Sequence, residues 1–411
     1  MNVSSFIARR LAFNQQKSFS RFIIRLSVAA TVISVAVMII TLSFVNGFQD
    51  TVSQKVFSFW GHIRVGYRQP MKAVIAEEEP IEANGALVRS VKAMPQVASI
   101  HPFATKYAIL KTSDEMEGVL LKGLDTSYNF NHLSSFLKEG RWIRFNDSTY
   151  SREIVVSTYT ANQLHLKLND RILIYFVRPD GSLRPDRLTI VGIYKTSIEE
   201  YDKTFAIGDI KLIRQLNGWG QDEIGGYEIF LKDFNQMDLV SNAIYNSDQI
   251  PQSWETKTVK EIYPNIFDWL NVINTNSTVL ITIMIIIAVI NLITCLIILV
   301  LERLRMIGIL KALGATNWTV QKIFLHHSVI ITIMGIVGGT LFALGLLWLQ
   351  QTTGFVRLPE DAYYMDRAAV KILWWQVAAV GIGTLLVSLM VLLIPSFIVR
   401  RVQPIKAIRF N

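Results

Sequence analysis

Residues 301–315 read LERLRMIGILKALGA, a short charged stretch between two long apolar runs. Val279–Leu301 ahead of it carries no charged residue, and Ile323–Leu349 behind it carries none beyond the titratable pair His326 and His327. About 20 apolar residues suffice to cross a bilayer as a helix, so both flanks read as membrane spans. The stretch between them must emerge on one side as a short loop. Wound as a helix, it places Met306, Leu310 and Leu313 at i, i+4 and i+7, one apolar stripe. Arg303, Arg305 and Lys311 ring that stripe, and Gly314 stands where helix C-termini are often closed. Two uses fit: a lever that passes force from a soluble partner, or an interfacial connector that only satisfies the bilayer surface.

Working outward, four apolar runs are unevenly placed, roughly Leu26–Val45, Val279–Leu301, Ile323–Leu349 and Ile372–Val399. A hydrophobic fraction of 51% and a mean hydropathy of +0.34 fit a membrane protein with a large aqueous part. The first run is too long, and too poorly followed by small residues, for a cleaved signal peptide, so it reads as an uncleaved anchor. Basic residues crowd three flanks: Arg9, Arg10, Lys17, Arg21 and Arg25 before the first run, the 302–322 loop, and Arg400, Arg401, Lys406 and Arg409 at the end. The positive-inside rule puts all three in the cytoplasm, and the alternation closes over four spans. These flanks carry more than the whole net charge of +9. The basic balance is therefore a topology signature, and no cluster of basic and aromatic residues argues for nucleic acid.

The predicted division is a cytoplasmic interfacial helix (1–21), a first span (22–47), an extracytoplasmic α+β domain (48–271), a second span (272–301), a cytoplasmic loop (302–322), a third span (323–350), an extracytoplasmic loop (351–371), a fourth span (372–399) and a cytoplasmic tail (400–411). The single cysteine, Cys295, allows no intrachain disulfide, so the large domain relies on its own core. Alternation predicts strands at Gly61–Tyr67, Val97–Ala104, Tyr107–Lys111, Val119–Gly123, Ile154–Ser157, Arg171–Val177, Leu188–Tyr194 and Tyr227–Lys232. Helices are predicted at Ala86–Ala93, Ser157–Leu166, Asp209–Leu216 and Phe234–Tyr245. The acidic Glu77, Glu78 and Glu79 read as a solvated turn rather than a metal site, having no His or Asp nearby. Residues 178–187 (RPDGSLRPDR) form a proline-stiffened hairpin arm bearing Arg178, Arg184 and Arg187. It is either an exposed tip or a docking element.

Within the spans, Gly335 and Gly339 permit close helix approach. Asn291 needs a hydrogen-bonding neighbour, because an unpaired amide in lipid is costly, and Pro395 should kink or end the last span. The spans hold no Asp, Glu or Lys, which disfavours a secondary transporter or proton pump. No phosphate-binding Gly-rich loop with Lys-Ser/Thr, no His-Glu-x-x-His and no Gly-x-Ser-x-Gly occurs. What remains is a membrane machine without its own engine.

LERLRMIGILKALGA followed by IFLHHSVIITIMGIVGG resembles the signature region of FtsX-like ABC transporter permeases, nearest to the lipoprotein-releasing (Lol) branch. SRFIIRLSVAATVISVAVMIITLSFVNGFQ resembles that branch's first span, and IVVSTYTANQLHLKLNDRILIYF its MacB-like periplasmic domain. The resemblance implies two permease protomers, identical or homologous, in the bacterial inner membrane, paired with a cytoplasmic ABC ATPase. That ATPase would use ATP and Mg, no cofactor being bound by this chain and no metal site being expected. Glu302, Arg305, Met306, Ile307, Leu310, Lys311, Leu313 and Gly314 match the coupling helix that enters the ATPase groove. Helical spacing together with the resemblance puts Val35, Ile39, Leu42 and Val45, facing Ile283, Ile286, Ile290 and Ile293, along a path for the lipid anchor. The arm of Arg178, Arg184 and Arg187 lies where one permease type binds a periplasmic lipoprotein carrier, though it is short here. Ser157 stands where the family often has Gly.

The physical task is severe. At about 0.8 kcal/mol per buried CH₂, an anchor of two or three chains is held by roughly 20–35 kcal/mol, so release needs a shielded path and coupled ATP hydrolysis. Two alternatives share the resemblance: a MacB-type exporter, which carries a fused ATPase before its first span, and an FtsX-like mechanotransmitter acting on a cell-wall hydrolase, whose outer domain is usually much smaller.

Overall fold

The computed structural model describes residues 19–69, 77–146, 149–178, 181–302 and 304–391. The chain divides into a helical unit (residues 1–50, 270–357 and 367–411) and a strand-rich unit (51–269 and 358–366). The interfacial helix expected over 1–21, Pro395 and the basic tail fall almost wholly outside the described residues.

In the helical unit, described helices run Phe19–Trp60, Pro264–Glu302, Leu304–Ala312, Asn317–Thr353 and Trp374–Val391, the first two crossing the unit boundary in sequence. Three are long and apolar enough to cross a membrane, and the described part of the last is a shorter apolar helix. Trp318 and Trp348 are both exposed near opposite ends of one helix. At about 1.5 Å per residue they stand roughly 45 Å apart along its axis, the thickness of a bilayer with its headgroups. Gly335 and Gly339 let this helix press on the first. An added Cβ would lie 2.5 Å from Thr31 Cγ2 at Gly335 and 2.7 Å from the Val32 carbonyl at Gly339. Asn291 Nδ2 donates to the Ser27 carbonyl at 3.2 Å, the interhelical bond its depth demands. Gly47 abuts the Ala369 carbonyl so closely that a Cβ would sit 2.3 Å from it. Asn46 donates to Gln376 at 2.5 Å and Lys371 pairs with Asp50 at 2.5 Å, tying the first helix to the segment that leads into the last.

Among the described residues the strand-rich unit holds twelve strands: β1 (Ile63–Tyr67), β2 (Ile81–Glu82), β3 (Val97–Lys111), β4 (Met116–Leu124), β5 (Leu137–Gly140), β6 (Glu153–Ser157), β7 (Arg171–Val177), β8 (Leu183–Tyr194), β9 (Phe205–Asp209), β10 (Glu223–Ile224), β11 (Gly226–Leu231) and β12 (Trp254–Thr258). β7 pairs with both β3 and β8, so β3, β4, β9, β6, β8 and β7 close into a ring. β3 makes this possible by its length. Its first half pairs with β11 and its second with β7 on that same edge, while β4 follows the other edge. Alternation puts Ile172, Ile174 and Phe176 inside the ring.

Two polar residues in the middle of β3 explain why the sequence pattern divides it into two strands. Thr105 and Lys106 are buried because Glu78 and Glu77 reach them: Thr105 donates to Glu78, and Lys106 pairs with Glu77 at 2.9 Å. Glu78 also pairs with Arg64 at 2.5 Å. The expected solvated turn is thus corrected to a clamp, since buried strand polar groups need these carboxylates. Deeper still, Lys122 and Glu228 form an ion pair at 2.7 Å with both side chains inaccessible. The Lys122 ammonium also donates to the Phe59 carbonyl and lies over the Trp60 ring. Ser157 in place of glycine has a reason here: its hydroxyl caps the following helix by accepting from Thr160 N–H at 3.0 Å and itself donates to the Asp202 carbonyl.

Candidate functional site

The charged stretch forms a helix over Leu304–Ala312 and ends as its glycine suggests. Ala315 N–H donates to the Leu310 carbonyl at 2.9 Å and Gly314 N–H to that of Lys311 at 3.0 Å, with Gly314 at φ 90°. This is the paired six-to-one and five-to-two closure in which a left-handed residue satisfies the orphan carbonyls. Thr316 then starts the next helix at once, its hydroxyl accepting from Thr319 N–H at 3.2 Å. The reversal between the two helices is therefore short and hydrogen-bonded at both ends.

Which face looks outward departs from the expected stripe. Ile307 is fully buried with Val300 and Val320, and Met306, Leu310 and Ala315 pack against the same cluster together with Ile24. The reason is that the short helix folds back on its own flanking spans and uses this face to close the turn. The outward apolar side chains are Ile309, Leu313 at 80% exposure, and Trp318 just beyond. Lys322 lies over the Trp318 ring at 5.4 Å. Leu313 and Lys311 keep an accessible position, while Ile307 leaves the candidate surface. The side chains of Glu302 and Arg305 lie outside the described residues. Ile309 and Trp318 were not singled out by sequence because this helix is apolar on more than one side, so periodicity alone does not say which side meets the spans.

The residues expected to line an apolar path divide in the same way. Val35 and Ile39 are buried against Ala343 and Leu347, inside the helix packing, so they are removed from the open surface. Leu42 and Val45 are half-buried, as is Ile293, whereas Ile283, Ile286 and Ile290 are exposed on the Pro264–Glu302 helix. In the arm, β7 and β8 pair as a ribbon, Gly181 takes φ 79° at the tip, and Arg178 N–H donates to the Ser182 carbonyl at 2.9 Å. Pro179 and Asp180 lie outside the described residues. Arg184 stands opposite the buried Phe176 and Arg187 opposite Leu173, so these two arginines face opposite sides of the ribbon. The three do not form a single basic face.

Comparisons with known proteins match both parts of the chain. Residues 26–245 match the MacB-like periplasmic core domain and residues 278–404 the FtsX-like permease C-terminal family. The lipoprotein-releasing system transmembrane protein LolE of Haemophilus influenzae is 24% identical, over 98% of this chain and 98% of its own length. LolC of Xylella fastidiosa is 22% identical over 98% and 97%. LolC of Neisseria meningitidis serogroup B is 22% identical over 98% of each chain. Among solved structures, the periplasmic region of MacB from Actinobacillus actinomycetemcomitans is 11% identical over 50% of this chain and 91% of its own, at a TM-score of 0.35, too remote to carry an argument.

Proposed function

We propose, from the premise that this chain belongs to the MacB-like periplasmic core domain family and carries an FtsX-like permease C-terminal region, that it is a permease subunit of an ATP-driven ABC transporter releasing lipoproteins from the inner membrane. The observation that carries this reading is end-to-end likeness to proteins named as lipoprotein-releasing permeases, extending over 98% of the chain. The strand-rich unit is then the periplasmic domain, inserted between the first two of four spans, and the termini are cytoplasmic. A separate ABC ATPase binds and hydrolyses ATP with Mg. A second permease protomer completes the membrane part, and a periplasmic carrier accepts the lipoprotein.

In this reading the Leu304–Ala312 helix meets the ATPase through Ile309, Leu313 and Trp318, with Lys311 beside them, and Glu302 and Arg305 keep the polar role towards the ATPase that the resemblance implies. Its buried side, with Ile307, Met306 and Leu310, passes displacement to the spans it packs against. A capped turn suits that role, because a loosely hydrogen-bonded loop would absorb the stroke. Leu42, Val45, Ile283, Ile286, Ile290 and Ile293 line the route for the acyl chains. On this route the exposed isoleucines face lipid anchor or bilayer, both apolar. The arm of Arg178, Arg184 and Arg187 contacts the carrier by one edge rather than one face.

Depletion of the protein tests the function. Outer-membrane lipoproteins should accumulate in the inner-membrane fraction on a density gradient, while integral outer-membrane proteins reach their destination. Normal lipoprotein partitioning after depletion would overturn the reading.

A further inference from the structure

The strand-rich unit carries a groove of about 350 Å³ that the proposed transport cycle does not use. Lys138, Lys167 and Lys195 stand around it with a single carboxylate, Glu139, among the lining residues. Lys195 is already committed, pairing with Glu360 at 2.5 Å. Lys138 and Lys167 form no ion pair among the described residues, and neither does the side-chain amide of Asn162 at the same groove form a hydrogen bond there. Two free ammonium groups and an amide donor thus face one concavity over an apolar floor that includes Ile193.

A second observation is independent of charge. Four non-glycine residues have positive φ among the described residues: His165 at 51°, Asn169 at 69°, Ser197 at 65° and Tyr364 at 57°. Three of them lie within two residues of groove-lining side chains, His165 beside Leu166, Asn169 after Lys167, and Ser197 after Lys195. Gly140, at φ 79°, follows Glu139, and a Cβ there would lie 2.3 Å from the Val191 carbonyl. Left-handed backbone in ordinary residues is strained and gathers where a fold shapes a site. Here it bends two loops so that Lys138, Lys167 and Lys195 border one space.

We infer that this groove binds a phosphate group, either the headgroup phosphate of an anionic phospholipid or free inorganic phosphate. A tetrahedral oxyanion accepts several charge-assisted hydrogen bonds at once and matches the excess of ammonium over carboxylate. An apolar floor also suits the glycerol part of a headgroup.

The test uses the full-length protein purified in an uncharged detergent. Inorganic phosphate is titrated with it, and the ³¹P line width is followed. The wild type should broaden the line, and Lys138→Gln/Lys167→Gln should weaken binding by ~tenfold or more, the loss expected for two charge-assisted contacts. Lys138→Arg/Lys167→Arg should retain it. Short-chain phosphatidylglycerol is then added. Displacement of phosphate identifies the headgroup as ligand, and no displacement identifies the free anion; both support the phosphate site. No broadening by the wild type, with no saturable binding of the short-chain lipid, would overturn the inference. So would equal binding by the Gln double variant. Neither result bears on lipoprotein release, which depletion tests separately.

Discussion

The helical unit leaves many large apolar side chains exposed and buries hydroxyls between its helices, whereas the strand-rich unit gathers most of its large apolar side chains into an interior. Ile283, Ile286, Ile290 and Leu341 are exposed in the first, while Ser27, Thr31, Ser34, Ser328 and Thr332 are buried. In the second, Ile154, Val155, Phe176 and Ile190 are buried, and interior charges survive as tight pairs, such as Lys122 with Glu228, or as carboxylates held by backbone N–H groups, as Asp209 is by those of Ser151 and Lys211. Solvent accounts for the contrast. In lipid no hydrophobic force draws helices together, so small residues and hydroxyls hold them by close approach. In water apolar burial drives folding, and a charge enters the core only where a counter-charge or hydrogen bonds meet it.

The largest effect should come from breaking that partnership. Burial lowers the Lys122 ammonium to about 8 and raises the Glu228 carboxyl, each opposed by the charge of the other. Lys122→Met leaves Glu228 buried without a counter-charge and should destabilise by about 3–5 kcal/mol, whereas Lys122→Met/Glu228→Leu should recover most of it. Denaturant unfolding followed by tryptophan fluorescence reads both. A double variant as unstable as the single one would mean that the pair is replaced poorly by apolar packing. In the helical unit, Gly339→Ile should cost about 1–3 kcal/mol by overpacking against Val32 and Val35. Unfolding in mixed micelles measures it, and an unchanged midpoint would show that the two helices are not held by close approach.

Acid should separate the two units further. Burial, helped by the nearby His132, lowers His62 and His101 from 6.5 to about 4, and both belong to the strand-rich unit. Between pH 4 and 6.5 the unfolded chain therefore binds more protons than the folded one. Stability should be complete above pH 6.5 and fall as pH drops towards 4, by up to about 1.4 kcal/mol per pH unit for each imidazole. Denaturant midpoints across that window check the slope, and His101→Phe should reduce it. A flat profile would place both imidazoles in contact with water.

The same contrast explains what could be read in the sequence. Apolar runs announce helices whichever way they face, so the long apolar helices and Asn291's need for a partner were legible. So was the closure at Gly314, because a glycine after an amphipathic turn has a local cause. β9 was not, since all five of its residues are buried and no alternation remains to mark it. Nor could β3 be seen as one strand while Glu77 and Glu78, which satisfy its polar centre, lay so far back in the chain. The Glu360 contact with Lys195 joins positions far apart in sequence, and residues 358–366 belong with the strand-rich unit for that reason.

The smallest effect on stability should be the most informative about the site. Leu313 is 80% exposed, so Leu313→Asp should change folding by less than ~0.5 kcal/mol, as exposed substitutions do. Leu310 packs against the Val300, Ile307 and Val320 cluster, so Leu310→Asp places a charge beside a buried apolar core and should lower the unfolding midpoint. The two positions are one helical turn apart, yet Leu313 is open to solvent, where the proposed function puts the partner, and Leu310 packs against the flanking helices. Co-purification of the ATPase should be lost with Leu313→Asp although the permease remains as stable as wild type. In Leu310→Asp the loss should come with destabilisation. If Leu313→Asp retained the ATPase while Met306→Asp, at a half-buried position, released it without destabilising the permease, the outward face would be the one the amphipathic stripe indicates. The short helix would then have to turn over when its partner binds.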